Sequence, residues 1–142
     1  MSHPLIHEPN EDMELVPVVK HINQEKINRF AAISGGTGRI HVDIEYAKKT
    51  KFQSTLAHGI LLVAYISEMM KNNFGKPWFT SGNMDVKFVK PAKPGNSLVS
   101  KGKIRKVEIL NKKKRIECSV WIENEYGELI VDGNSSLEIE LP

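Results

Sequence analysis

One cysteine among 142 residues, Cys118, has no partner for an intramolecular disulfide and cannot supply a thiolate zinc site within one chain. A lone thiol is compatible with a reducing compartment. Long hydrophobic runs are missing as well: "GILLVAYI" is far too short to span a bilayer, and the opening "MSHPLIHEPNEDME" is polar rather than a charged-then-apolar leader. The expectation is a soluble, cytoplasmic protein with no membrane segment. Aromatics are sparse, and none interrupts the basic clusters "SKGKIRK" and "NKKKR", so bases would have nothing to stack on and no nucleic-acid partner is expected. Lys101, Lys103 and Arg105 alternate along a strand pattern and read as a solvated face, with coenzyme phosphates as the anionic alternative. Phosphate-loop motifs are also lacking. "GGTGRI" has no Lys-Ser/Thr after its glycines and follows a helix pattern where a strand is required, and the G-x-G-x-x-G spacing is absent.

What remains is an ordinary apolar content of 40% and a length that suits one domain spanning residues 1–142. No repeat, linker or low-complexity tract divides it. Residues 1–12 read as a flexible or loosely packed arm, whose His3 and His7 lack helix support and further ligands for a metal. After an extended stretch, "MELVPVVKHI", Asn23 is a plausible N-cap for a helix with Ile27, Phe30, Ala31 and Ser34 on one face, ended by Gly35 and Gly36. Asp43 suits a cap for "IEYAKKT" as well as it suits a chemical role. "AHGILLVAYISEMMKNNFG" predicts a helix apolar on almost every side over its first two turns, the pattern of all-round burial, stopped by Gly75 and Pro77. Beyond Pro77 the chain reads as strands. "SGNMDVKFVKPA", "NSLVSKGKIRKVEIL", "KKRIECSVWIEN" and "GELIVDGNSSLEIEL" alternate, with turn signals between them. Ile116, Cys118, Val120 and Ile122 share one face, and Leu129, Val131, Leu137, Ile139 and Leu141 another, which makes Cys118 a core residue. Long antiparallel strands after one apolar helix predict an α+β fold in which the sheet curls around that helix.

The segments "FAAISGG", "IHVDIEYA", "LAHGILL" and "VKFVKPAKPGNSL" resemble, in order and spacing, the MaoC-like (R)-specific enoyl-CoA hydratases, from about Ile22 to the C-terminus. The resemblance implies a hot-dog fold, an antiparallel sheet wrapped around a long central helix. It also implies a hydratase or dehydratase of enoyl-CoA or 3-hydroxyacyl-CoA, a carbon–oxygen lyase of fatty acid metabolism that takes an acyl-CoA or acyl-carrier thioester. No cofactor is implied beyond the coenzyme A of the substrate, and no metal. A homodimer or higher homo-oligomer is implied as partner state. In that family the loop reads roughly Ser-Gly-Asp-x-Asn-Pro-x-His, and its aspartate and histidine position and deprotonate water.

Ser34, Gly35 and His41 match that pattern, whereas the aspartate position is Gly36 and the Asn-Pro pair is Gly38-Arg39. By resemblance His41 is the catalytic residue, the Gly59 N–H points at the thioester carbonyl from a helix start, and Ser67 lies at the family's serine position. Small-residue packing is the alternative for Ser67. Arg39 would either hold the neighbouring histidine neutral or bind a phosphate or carboxylate of the ligand. His58 suits a helix cap or packing role better than that of a second donor. Asp43, Glu45, Glu68 and Asp85 are the candidate replacements for the missing acid. Slow hydration is expected without one, and a non-catalytic acyl-CoA-binding subunit of a hetero-oligomer or an acyl-CoA thioesterase are the competing functions.

Overall fold

Alternating strand patterns after Gly82 find their partners in a single antiparallel sheet in the structure, a computed structural model that describes residues 3–142. In chain order the elements are β1 (Val18–His21), α1 (Gln24–Ser34), α2 (Arg39–Val42), α3 (Ile44–Lys48), α4 (Gly59–Phe74), α5 (Lys76–Ser81), β2 (Asn83–Phe88), β3 (Ser97–Leu110), β4 (Lys113–Asn124) and β5 (Leu129–Glu140). The strand order is β1-β3-β4-β5-β2, so β1 and β2 are the edges. Asn111 and Lys112, both at positive φ, close the two-residue turn from β3 to β4, the geometry whose twist matches that of its strands.

One sheet face carries the core. Ile116, Cys118, Val120 and Ile122 of β4 are all buried, and register places them beside Leu137, Ser135, Gly133 and Val131 of β5. A register shift at Ile122/Glu123 brings Ile130 inside as well, although simple alternation from Leu129 points it outward. Against this face lies α4, which contacts β1, β3 and β4 and contributes the buried Leu62, Ile66, Met69, Met70 and Phe74. The chain has the α+β hot-dog fold. Among the described residues no helix is long and apolar enough to cross a membrane.

Two expectations need correction. The first turn of α4 is not buried all round: Ile60 is 65% exposed and Leu61 and Val63 are half-buried. Pro77 does not introduce the strands but sits in the first turn of α5, where its missing N–H costs no helical bond and its fixed φ suits the turn. The described part of the arm, residues 3–12, is docked: Leu5 and Ile6 donate backbone bonds to Asn72 and Asn73 at 3.0 Å, and Ile6 packs on the core. Met1 and Ser2 of that arm lie outside the described residues. His3 and His7 are exposed, and among the described residues no cluster of three or more metal-ligating side chains forms.

Candidate active site

Asn23 caps α1 by accepting from the Lys26 N–H at 2.8 Å, and Gly35, in the left-handed region at φ 79°, ends the helix by donating to the Ala31 carbonyl. The chain then turns through Gly36 and Gly38 into α2, which carries His41. Residue 56 clamps that turn from the other side: its N–H donates to the Ile40 carbonyl at 3.0 Å, and its carbonyl accepts from His41 Nδ1 at 2.8 Å. Gln24 extends the clamp. Its amide donates to the His41 carbonyl at 2.8 Å, and its oxygen accepts from the Thr55 hydroxyl. His41 is thereby fixed at main chain and side chain alike.

A carbonyl can only accept, so the His41 proton sits on Nδ1 and Nε2 is the ring's free lone pair. Among the described residues Nε2 has no hydrogen-bond partner, and the residue is half-buried. Against its ring lies that of His58, with centroids 3.8 Å apart and planes at 18°. His58 is the residue before α4, yet its side chain makes no cap bond; its Nε2–H donates instead to the Gly36 carbonyl at 2.6 Å, and the Phe30 ring packs against it at 62° with centroids 4.9 Å apart. The packing role expected of His58 is present and the capping role is not. These side chains, with Ser34, Gly36, Gly59 and Ile60, line a cavity of about 380 Å³. A larger depression, about 470 Å³, lies among Asp85, Arg105, Arg115 and Glu117, where opposed surface charges neutralise one another.

Gly59 opens α4 at this cavity. Among the described residues no protein acceptor meets the Gly59 or Ile60 N–H, so the positive end of a 16-residue helix lies at the cavity. The space a Cβ would take at Gly59 is filled by the Phe88 ring, 2.8 Å away, on edge strand β2.

The other residues singled out by the sequence lie elsewhere. Arg39 points to Asp43, with its guanidinium 3.1 Å from the carboxylate and 4.3 Å from the Tyr46 ring, and it does not line the cavity. Ser67 is two turns along α4 from Gly59, about 12 Å by helical rise, and accepts from Trp78 Nε1 at 2.8 Å. Of the four candidate acids none is hydrogen-bonded to His41. Asp43 caps α3 by accepting from the Tyr46 N–H at 3.0 Å; that bond, followed by the Arg39 guanidinium, holds its carboxyl below the usual carboxylate range. Glu45 pairs with Lys48 and Glu68 with Lys20, while Asp85 lies on β2 in the larger depression. Cys118 is buried, and burial pushes its thiol up to about 12, which removes it as a nucleophile.

The residues that sequence reasoning missed act through the backbone or across long separations. Leu56 serves by its carbonyl, which no side-chain pattern reveals; Gln24 and Thr55 meet only in the fold; Phe88 reads as a strand residue like its neighbours. Chemically the arrangement offers the His41 Nε2 acceptor beside a helix start. That combination suits taking a proton from water while a thioester oxygen gains charge.

Known proteins carry the same fold and related sequence. The family model described as "MaoC like domain" matches residues 7–125. The (R)-specific enoyl-CoA hydratase of Rhodospirillum rubrum is 25% identical over 126 residues, which cover 86% of this chain and 83% of that protein. The 3-hydroxybutyryl-CoA dehydratase of Methylorubrum extorquens is 23% identical over 132 residues, 91% of this chain and 82% of its own. Among solved structures, the unliganded R-hydratase PhaJ1 of Pseudomonas aeruginosa superposes with a TM-score of 0.77 at 26% identity, covering 95% of this chain and 89% of that one.

Proposed function

This chain belongs to the MaoC-like dehydratase family, and on that premise we propose that it hydrates enoyl-CoA, or dehydrates 3-hydroxyacyl-CoA, with His41 as its base. The observation that carries the reading is the Leu56 carbonyl on His41 Nδ1, which leaves Nε2 as an acceptor at a cavity that also holds the α4 start. In hydration, Nε2 takes the proton of a water that adds to the β-carbon. The Gly59 N–H supports the negative charge gathering on the thioester oxygen, and the proton returns to the α-carbon. For the carbonyl to reach Gly59, the Phe88 ring swings aside; at 55% exposure on an edge strand it has room to do so. Substrate-binding roles for Ser67 and Arg39 remain part of the proposal at one remove, with Arg39 at 67% side-chain exposure available to a coenzyme phosphate once it leaves Asp43.

Butyryl-CoA, which binds but cannot be hydrated, tests the site. Titrated into isotope-labelled protein, it is expected to shift the Gly59 and Ile60 amides and the His41 ring signals before distant ones such as those of β4. Binding that leaves all three unmoved contradicts the assignment.

The proposed assembly is a homodimer or larger homo-oligomer. Its support is the unpaired edge β2 together with the exposed apolar Ile60, Phe88 and Val89 beside the cavity, a combination that an isolated chain leaves in water. Sedimentation at micromolar concentration is expected to give at least a dimer; a monomer overturns this part. That none of the described carboxylates is bonded to His41 favours a second reading, a non-catalytic acyl-CoA-binding subunit of a hetero-oligomer. Such a chain binds butyryl-CoA but turns over no enoyl-CoA, and a thioesterase is marked by released thiol.

A further inference from the structure

We infer that Gln24 is a positioning residue for His41, and that Thr55 keeps the Gln24 amide in the orientation this needs. The inference rests on the reading of His41 as the base.

The helix that carries His41, Arg39–Val42, is only four residues long. The last four carbonyls of a helix find no donor within it, so all those of α2 depend on groups from outside, and a single turn has little stability of its own. The surrounding chain supplies the donors. The Asp43 N–H donates to the Arg39 carbonyl at 2.9 Å, the Leu56 N–H to that of Ile40 at 3.0 Å, and the Gln24 side-chain amide to that of His41 at 2.8 Å. Gln24 thus gives from α1 the bond that a further turn of α2 would have given from its main chain. Of these three donors it alone is a side chain.

His41 is held at its carbonyl by Gln24 and at Nδ1 by the Leu56 carbonyl, each at 2.8 Å, and these two points together set the direction of Nε2. Released at the carbonyl, the peptide after His41 is free to rotate and the ring moves with the main chain that bears it. The sense of the amide matters as much as its reach. The His41 carbonyl accepts only, so Gln24 must offer it Nε2, and the amide oxygen then faces the Thr55 hydroxyl, which donates to it at 2.5 Å. Asn28 Oδ1, one turn along α1, accepts from the same Nε2 at 2.9 Å. Thr55 is 4% exposed, and a hydroxyl so buried keeps its protein partner, which holds the amide in that sense. Neither Gln24 nor Thr55 lines the cavity, and neither falls in the four segments whose order and spacing resemble the family, so the resemblance assigns them no role.

The test uses the full chain as Gln24→Ala, Thr55→Val, Thr55→Ser and the double variant Gln24→Ala with Thr55→Val, each checked by thermal melting. Alanine suits a helix start and valine keeps the branched shape of threonine, so all four are expected to fold. Hydration of crotonyl-CoA and the His41 tautomer, read by long-range proton–nitrogen correlation, are then measured. In Gln24→Ala we expect kcat to fall at least about tenfold, within the scale of a catalytic group misplaced by about 1 Å. KM is expected to change less than about threefold, since the contact is not made to substrate, and His41 to lose its single Nδ1–H tautomer signature. Thr55→Val is expected to lower kcat at least about threefold, whereas Thr55→Ser, which keeps the hydroxyl, stays within about twofold of the unaltered chain. Because Thr55 acts through Gln24, the double variant is expected to match Gln24→Ala within about twofold instead of multiplying the two losses. A folded Gln24→Ala protein with undiminished kcat overturns the inference, and so does one whose His41 keeps the native tautomer. Equal losses in Thr55→Val and Thr55→Ser, or losses that multiply in the double variant, overturn the part assigned to Thr55. If the unaltered chain turns over no enoyl-CoA, the proposed function falls separately, and the tautomer signal in the same variants decides for or against Gln24 and Thr55.

Discussion

Replacement of His41 by alanine is expected to lower kcat for enoyl-CoA hydration by about 10²–10⁴ while leaving the protein folded. The rate loss follows from removing the Nε2 lone pair of His41 at the cavity, since among the described residues no carboxylate is bonded to this ring. Stability changes little. His41 is half-buried, its side chain makes one hydrogen bond to the protein, and losing such a bond costs about 1 kcal/mol. Its main-chain bonds, the Gln24 amide on its carbonyl among them, survive the substitution. Steady-state hydration and thermal melting of the same samples check both halves. A rate unchanged in His41→Ala removes His41 as the base, and a large fall in melting temperature makes it a structural residue.

The largest loss of stability is expected from Ile66→Ala, about 2–5 kcal/mol, the range for truncating a buried branched side chain and leaving a cavity. Ile66 is fully buried on α4, in the same core as Leu62, Met69 and Met70 and the facing strand residues Ile104 and Val120. Packing this dense relaxes only partly around a deletion, so the surrounding side chains lose contacts outright. Denaturant unfolding is expected to show a lower midpoint with an unchanged slope, because the surface exposed on unfolding stays nearly the same. A loss below about 1 kcal/mol would place α4 outside the core. Ile66 lies two turns beyond Gly59 and does not line the cavity, so this variant should keep native activity wherever it remains folded.

The pattern of apolar residues made most of the fold legible. Alternation in β4 placed Ile116, Cys118, Val120 and Ile122 on the buried face because a central strand covered on one side has no other way to arrange them. It failed at Ile130, where the register shift after Ile122 breaks the period on which the reading depends. The helix α5 was hidden for a different reason: a proline after glycine reads as a stop, but the same residue is well suited to begin a helix. Burial of α4 was overstated at Ile60, since composition reports how apolar a turn is and not what covers it.

At the site, the loop glycines, His41 and the start of α4 were legible as neighbours to be, and the fold brings them around one cavity. Less was legible of what holds them. The partner of His41 Nδ1 is a main-chain carbonyl at Leu56, and every residue type offers one. Gln24 and Thr55 are 31 positions apart and gain meaning only when α1 and the segment before α4 are brought together. His58 lies against Gly36 and donates to its carbonyl, a relation between two positions 22 residues apart that neither shows alone. Arg39 beside His41 in sequence suggested a direct influence, yet a helical turn sends its side chain to Asp43, four residues on.

Crotonyl-CoA mixed with the unaltered chain tests the central claim most directly, with the absorbance of the conjugated thioester and the free thiol followed in the same cuvette. The account predicts that conjugation is lost catalytically, to an equilibrium reached from either the enoyl or the 3-hydroxyacyl side, with no thiol released. Folded protein that binds the thioester and leaves its conjugation intact, or that liberates coenzyme A instead, would contradict it.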